Sequence, residues 1–118
     1  MRNYKSFLFI LALIAFSCEQ NDPEVSNACG VEDPAENLPW LKAKIESFEE
    51  FPDFYQYMYV QQGTYLDQTV FMVGNCCPFC DSYFPVYNCE GDEIMGGVVS
   101  EITDLKTVWK PAFSQCTL

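Results

Sequence analysis

The densest group of reactive side chains in this 118-residue sequence is Asn75-Cys76-Cys77-Pro78-Phe79-Cys80. Cys77 and Cys80 stand at C-x-x-C spacing. Such a pair can exchange electrons with a disulfide partner when a helix N-terminus or a cation lowers the pKa of its first thiol. Cys76 or Cys77, with Cys80, Cys89 and Cys116, could instead offer four thiolates to zinc. The third use is architectural: Cys29, Cys76, Cys77, Cys80, Cys89 and Cys116 are six thiols, enough for three disulfides. The neighbouring residues decide among these uses. Asp81, Ser82, Tyr83, Phe84 and Pro85 do not continue a helix beyond Cys80, so the feature that activates a redox thiol is missing. Structural zinc sites combine two short cysteine pairs, or cysteines with histidines; this sequence has one short pair and no histidine. A disulfide framework is therefore expected, with no metal and no cofactor.

Cys77-Pro78-Phe79-Cys80 is similar to the CPFC motif of glutaredoxins, and like that motif it follows a stretch that reads as a strand. The resemblance implies a thiol–disulfide oxidoreductase using Cys77 and Cys80, which is the alternative to the framework. Other chemistry is thinner. Without histidine, Ser-His-Asp, Cys-His and His-ligated metal chemistry are excluded within this chain. Glu90, Asp92 and Glu93 surround a turn but lack the spacing of an EF-hand loop, so they read as a solvated turn. Paired carboxylates for glycoside hydrolysis need a larger cleft than so short a chain readily forms. No phosphate-cradling loop and no internal repeat is present, and no catalytic residue is expected. A small secreted hydrolase inhibitor is a further alternative, although no reactive loop is identifiable.

The amino terminus carries an address. Residues 1–17 place Arg2 and Lys5 before an unbroken apolar run from Phe7 to Phe16. That run falls short of the roughly 20 residues that span a bilayer and suits a signal segment. Ser17-Cys18 follows, and it resembles the lipobox of bacterial lipoproteins, although Ala15 and Phe16 depart from the usual residues there. With Cys18 lipidated, the remaining six cysteines are even in number. Cys18 is thus the expected attachment point for a membrane-anchoring lipid. Residues 18–36 read as an acidic, flexible tether with a reach of roughly 20–25 Å. Its acidic start resembles a surface-export signal, which puts the protein in the cell envelope, anchored to the outer membrane and facing the periplasm or the exterior. Once Arg2 and Lys5 are removed with the signal segment, 17 acidic residues face four basic ones, which excludes a nucleic-acid footprint.

The elements that must hold these residues lie in 37–118, read as one small α+β domain. Leu38, Leu41, Ile45 and Phe48 fall at helical spacing, with Asn37 as N-cap and Pro39 in the first turn, which predicts a helix over 38–51. Strands are expected at 54–60, 69–73, 83–89 (on an edge, because of Pro85) and 93–95, with a turn around Gly63 and another at Glu90-Gly91-Asp92. Residues 100–110 read either as a short helix or as a turn and a last strand. The expected fold is one N-terminal helix packed on a small antiparallel sheet of four to five strands, stapled by disulfides. Adjacent Cys76 and Cys77 point to opposite sides of an extended chain and need different partners, one of them Cys89 on the neighbouring strand. Tyr55, Tyr57 and Tyr59 alternate along the first strand and share a face. Sheet packing or a binding surface for a protein or glycan accounts for such a row.

The series Ala28-Cys29-Gly30, Asn37-Leu38-Pro39-Trp40-Leu41-Lys42, Thr69-Val70-Phe71, Cys76-Cys77, Tyr87-Asn88-Cys89-Glu90-Gly91-Asp92, Gly96-Gly97 and Thr107-Val108-Trp109-Lys110 resembles a family of small lipoproteins of unknown function from Bacteroidetes-type bacteria. The likeness covers most of residues 28–110. It implies an exported, lipid-anchored domain without an active site to transfer. Cys80 departs from the family pattern, and Cys116 is a candidate partner for it.

Overall fold

The computed structural model describes residues 27–80, 83–94 and 98–118. The expected signal segment, Cys18, the first part of the expected tether and Gly96-Gly97 lie outside the described residues. From Asn27 onward the chain is built rather than tethering. Strands β1 (Asn27–Ala28) and β2 (Val31–Glu32) form a small antiparallel hairpin. Its turn residues, Cys29 and Gly30, have φ of 56° and 79°, the left-handed pair that a two-residue hairpin needs. Helix α1 (Pro34–Asn37) follows, with Pro34 and Ala35 buried.

The helix expected over 38–51 is instead a series of short helical pieces. Helix α2 (Pro39–Ser47) has Leu38 as N-cap residue, and Asn37 belongs to α1, with its side-chain amide donating to the Glu32 carbonyl. The apolar stripe is as read: Leu38, Leu41 and Ile45 are buried, and Phe48 packs against the same core. Burying a side chain of this size stabilises by about 1.5–3 kcal/mol. A 3-10 turn (Phe48–Glu50) then breaks the helix ahead of Pro52, because proline drives the residue before it out of helical geometry. Phe51 accordingly sits at φ −124°, ψ 71°.

Helix α3 (Pro52–Tyr55) occupies the place where the first strand was expected. Proline at the first helical position and Asp53 in the first turn start it, and local chemistry overrides the apparent period-two pattern. The main sheet begins at β3 (Met58–Tyr65) and returns as β4 (Gln68–Asn75). Gly63 is therefore inside a strand, and the turn falls at Leu66 and Asp67, with φ of 49° and 61°. A Cβ at Gly63 would stand 2.4 Å from the Ile102 methyl, so glycine marks a close crossing at a bulge rather than a reversal.

Strands β5 (Val86–Tyr87), β6 (Glu93–Ile94) and β7 (Thr103–Trp109) complete a five-stranded antiparallel sheet in the order β6-β5-β4-β3-β7. The β5 strand is shorter than expected and lies between neighbours. Pro85 sits just before it and accepts from the Val73 N–H at 3.0 Å. The tail resolves into a 3-10 turn (Val98–Glu101) followed by the strand β7. The fold is thus α+β, with a five-stranded antiparallel sheet, a two-stranded sheet, a few short helices and disulfides. Both faces of the main sheet are covered. Val60, Phe71 and Val73 pack with α1, α2 and the hairpin on one side, and Val70, Met72 and Val86 pack with Val98 and Ile102 on the other.

Candidate functional site

Three disulfides use all six described cysteines: Cys29–Cys89, Cys76–Cys116 and Cys77–Cys80. Cys76 and Cys77 do have different partners. Neither pairs with Cys89, which is taken by Cys29, and Cys116 pairs with Cys76 rather than Cys80. Proximity along the sheet suggested Cys89, but the hairpin at 27–32 brings Cys29 to it. Among the described residues no group of three or more cysteine, aspartate or glutamate side chains is arranged to hold a metal ion.

The Cys29–Cys89 bridge is one part of a clasp at the start of the domain. Trp40 on α2 donates from its indole Nε1 to the Cys89 carbonyl at 2.7 Å. Its ring lies against Phe71 and Tyr87 and over Gly91, where a Cβ would stand 2.8 Å from the indole. Gly91 has φ of 88°, a conformation that glycine adopts freely. The turn is further tied by Asn88, whose side-chain oxygen accepts from the N–H groups of Glu90 and Asp92 at 3.0 and 2.9 Å. Trp40 of the Leu38-Pro39-Trp40-Leu41 segment therefore meets the Tyr87-to-Asp92 segment in space. They account for one another as structure, through ring packing and hydrogen bonds.

The opposite end of the sheet is different. Cys76–Cys116 ties the end of β4 to the carboxyl-terminal segment, and Cys77–Cys80 closes the turn that carries Phe79. The Cys76 N–H donates to the Tyr57 carbonyl at 3.0 Å, and the Gln115 N–H donates to the Gln56 carbonyl at 2.9 Å. The backbone between α3 and β3 is held from both sides. On this frame stands a chain of rings. Phe54 and Tyr57 meet Phe79, with centroids 6.4 and 6.1 Å apart. Tyr55 meets Trp109 and Phe113 at 5.8 and 5.6 Å. Phe51, Phe54, Phe79 and Phe113 are 60%, 40%, 71% and 60% exposed. Exposed phenylalanines grouped on a braced surface are the feature of this domain least explained by folding.

The tyrosine row does not exist as expected. Tyr55 is in α3, Tyr57 in the turn after it, and only Tyr59 in β3. Tyr55 and Tyr57 still contribute to the aromatic end. Tyr59 turns away from it, lies across Gly74 and packs with the second core; this burial raises its pKa above the ordinary 10.0. The phenylalanines were missed because they are scattered through 51–113. The one available signal was Phe51-Pro52-Asp53-Phe54, where a proline start predicts a helical turn and hence a different face.

Two cavities are worth comparing. The larger, about 460 Å³, is walled by the hairpin residues 27–32 and Thr69, with Glu32 as its one carboxylate and Cys29 already bridged. The smaller, about 200 Å³, is lined by Phe48, Phe51, Phe54 and Met58 at the aromatic end. No protein family, no curated protein and no solved structure matches this chain.

Proposed function

We propose that this chain is an exported, lipid-anchored lipoprotein of the bacterial cell envelope whose small domain binds a partner without catalysis. The observation that carries the reading is the partition of the cysteines. Six of the seven pair with one another, which leaves Cys18 as the odd thiol, at the junction between the signal segment and the mature chain. A domain with three bridges belongs to an oxidising compartment, and an unpaired cysteine at that junction is the chemistry a lipid attachment uses. The resemblance to small Bacteroidetes-type lipoproteins belongs to the same proposal, as does anchoring in the outer membrane. The aromatic end is the binding surface in this reading, with a protein segment or a glycan as its occupant. Metabolic labelling with palmitate tests the anchor: the wild-type chain incorporates label and Cys18→Ala does not. Label retained in Cys18→Ala would overturn it.

A second reading has one observation in its favour. Cys77 and Cys80 bridge each other, as a redox couple does. They sit in a turn, however, and no lysine or arginine is among their hydrogen-bond or ion-pair partners among the described residues. Among the described residues neither a helix nor a bonded cation activates a thiol there as in oxidoreductases. Catalysed reduction of insulin by a dithiol, lost in Cys77→Ser, would favour this reading; the binding reading predicts no catalysis in either form.

A further inference from the structure

We propose that the groove formed by Phe48, Phe51, Phe54 and Met58 docks one large apolar side chain from a cationic segment of a partner protein, with lysines or arginines flanking that side chain. The inference rests on the binding reading above and names its occupant. Size comes first. At about 200 Å³ the groove is smaller than the roughly 300–1,000 Å³ of small-molecule pockets, and it suits a single leucine- or phenylalanine-sized group. Its lining is wholly apolar, so a polar ligand would lose hydration there without replacement.

Charge selects among apolar partners. The charged residues between the ring positions are Glu49, Glu50 and Asp53, all exposed. None of the three has an ion pair among the described residues. Of the four lysines of the domain, Lys42 pairs with Glu36, Lys44 lies over the Tyr87 ring at 4.5 Å, and Lys106 and Lys110 are exposed in and just after β7. Three exposed carboxylates without ion pairs, interleaved in sequence with the groove's phenylalanines, disfavour acidic segments and favour basic ones, and a positive group can also rest on the face of an exposed phenylalanine. The groove is preorganised as well. The Phe51 carbonyl accepts from the N–H groups of Phe54 and Tyr55 at 2.9 and 3.1 Å, and Pro52 fixes the chain between the rings. Rigid aromatic anchors cost little ordering on binding.

Placement completes the case. Asn27 lines the same cavity as Thr69, which is one residue pair from the β3–β4 turn. The groove lies at the other end of β3, about 25 Å away for eight residues of strand. Only eight residues separate Cys18 from Asn27, a span of at most roughly 30 Å. A lipid at Cys18 would therefore join the domain at the end of β3 opposite the groove.

The test is fluorescence anisotropy with the mature protein in phosphatidylcholine nanodiscs, empty nanodiscs being the blank. The probe is a labelled hexapeptide with a Phe-Leu centre between two pairs of lysines. Saturable binding is expected, weakened at least about tenfold by Phe51→Ser with Phe54→Ser. Replacing the three carboxylates by Glu49→Gln, Glu50→Gln and Asp53→Asn weakens it about threefold to tenfold, as does high salt. Undiminished binding in the Phe51/Phe54 variant, with an unchanged circular dichroism spectrum, would overturn the proposal. So would equal binding of a peptide with a Ser-Ser centre, or of one with glutamates in place of lysines. Binding lost in Phe79→Ser with Phe113→Ser but retained in the Phe51/Phe54 variant overturns the groove while keeping the aromatic end as a binding surface. An uncharged gluco-oligosaccharide that binds through Phe51 and Phe54 when the lysine peptide does not overturns the cationic partner in the same way. Failure of both probes overturns the groove proposal.

Discussion

The two ends of this domain use the same materials, aromatic rings and disulfides, to opposite effect. At the clasp, Trp40 is hydrogen-bonded, packed on Phe71 and Tyr87, and closed over Gly91 beside Cys29–Cys89. At the aromatic end, Cys76–Cys116 and Cys77–Cys80 brace a surface on which Phe51, Phe54, Phe79 and Phe113 face solvent. One end spends its rings on the core, and the other displays them. The half-buried Trp40 is tied to the core by ring contacts and a hydrogen bond, whereas a displayed ring contributes little to folding and retains apolar surface for something else. Mutations at the two ends should therefore separate stability from binding.

The largest effect is expected at the clasp. Bridges stabilise mainly by restricting the unfolded chain, in proportion to the logarithm of the loop closed. Cys29–Cys89 spans 60 residues, so its loss in Cys29→Ser with Cys89→Ser should cost roughly 4 kcal/mol by urea unfolding. Trp40→Ala should cost about 3–5 kcal/mol by leaving a cavity and an orphaned carbonyl. A cost below about 1 kcal/mol for either would remove the distinction between the ends.

At the other end Cys76–Cys116, with a separation of 40 residues, should also be worth roughly 4 kcal/mol, whereas opening the small bridge or removing the displayed rings should cost less. Cys77–Cys80 closes a separation of only three residues, and the same relation gives it less than about 2 kcal/mol. Cys77→Ser with Cys80→Ser should unfold near the wild-type midpoint, while loosening the turn that carries Phe79. Phe51→Ser with Phe54→Ser should change stability by no more than about 1 kcal/mol, measured in the same urea series. A large loss would show that the exposed rings belong to the fold after all.

The smallest effect concerns pH. The raised pKa of Tyr59, caused by burial, means that the folded protein holds this proton more tightly than the unfolded chain does. The associated stability is fully present below the unfolded value near 10.0 and is lost as pH rises through the higher folded value. A urea series between neutral pH and strongly alkaline pH should show wild type falling more steeply above pH 10 than Tyr59→Phe.

Much of the clasp was legible in the sequence as motifs, and little of the aromatic end was. The stripe Leu38, Leu41, Ile45 and Phe48 announced α2, and the Glu90-Gly91-Asp92 turn announced the β5–β6 hairpin, because periodicity and turn chemistry act locally. The apolar run at 69–73 gave β4 for the same reason. What failed was non-local or contested. Pro52 overruled the alternation of Tyr55, Tyr57 and Tyr59, and it also shortened the helix before it. Gly63 looked like a turn because a close approach by Ile102 leaves no trace in the surrounding residues. The pairing of Cys89 with Cys29 depended on a hairpin of two-residue strands, too short to carry a pattern. The aromatic end gathers Phe51, Phe54, Phe79 and Phe113 from three stretches of chain that only the disulfides and the sheet bring together.

The partition of seven cysteines into one anchor and six bridged partners is the claim on which the account of function turns, and mass spectrometry of the protein extracted from its own membrane tests it most directly. Peptides mapped without reduction should show a diacylglyceryl-modified Cys18 at the amino terminus, no free thiol, and the links Cys29–Cys89, Cys76–Cys116 and Cys77–Cys80. An unmodified Cys18, or free thiols at Cys77 and Cys80, would contradict it.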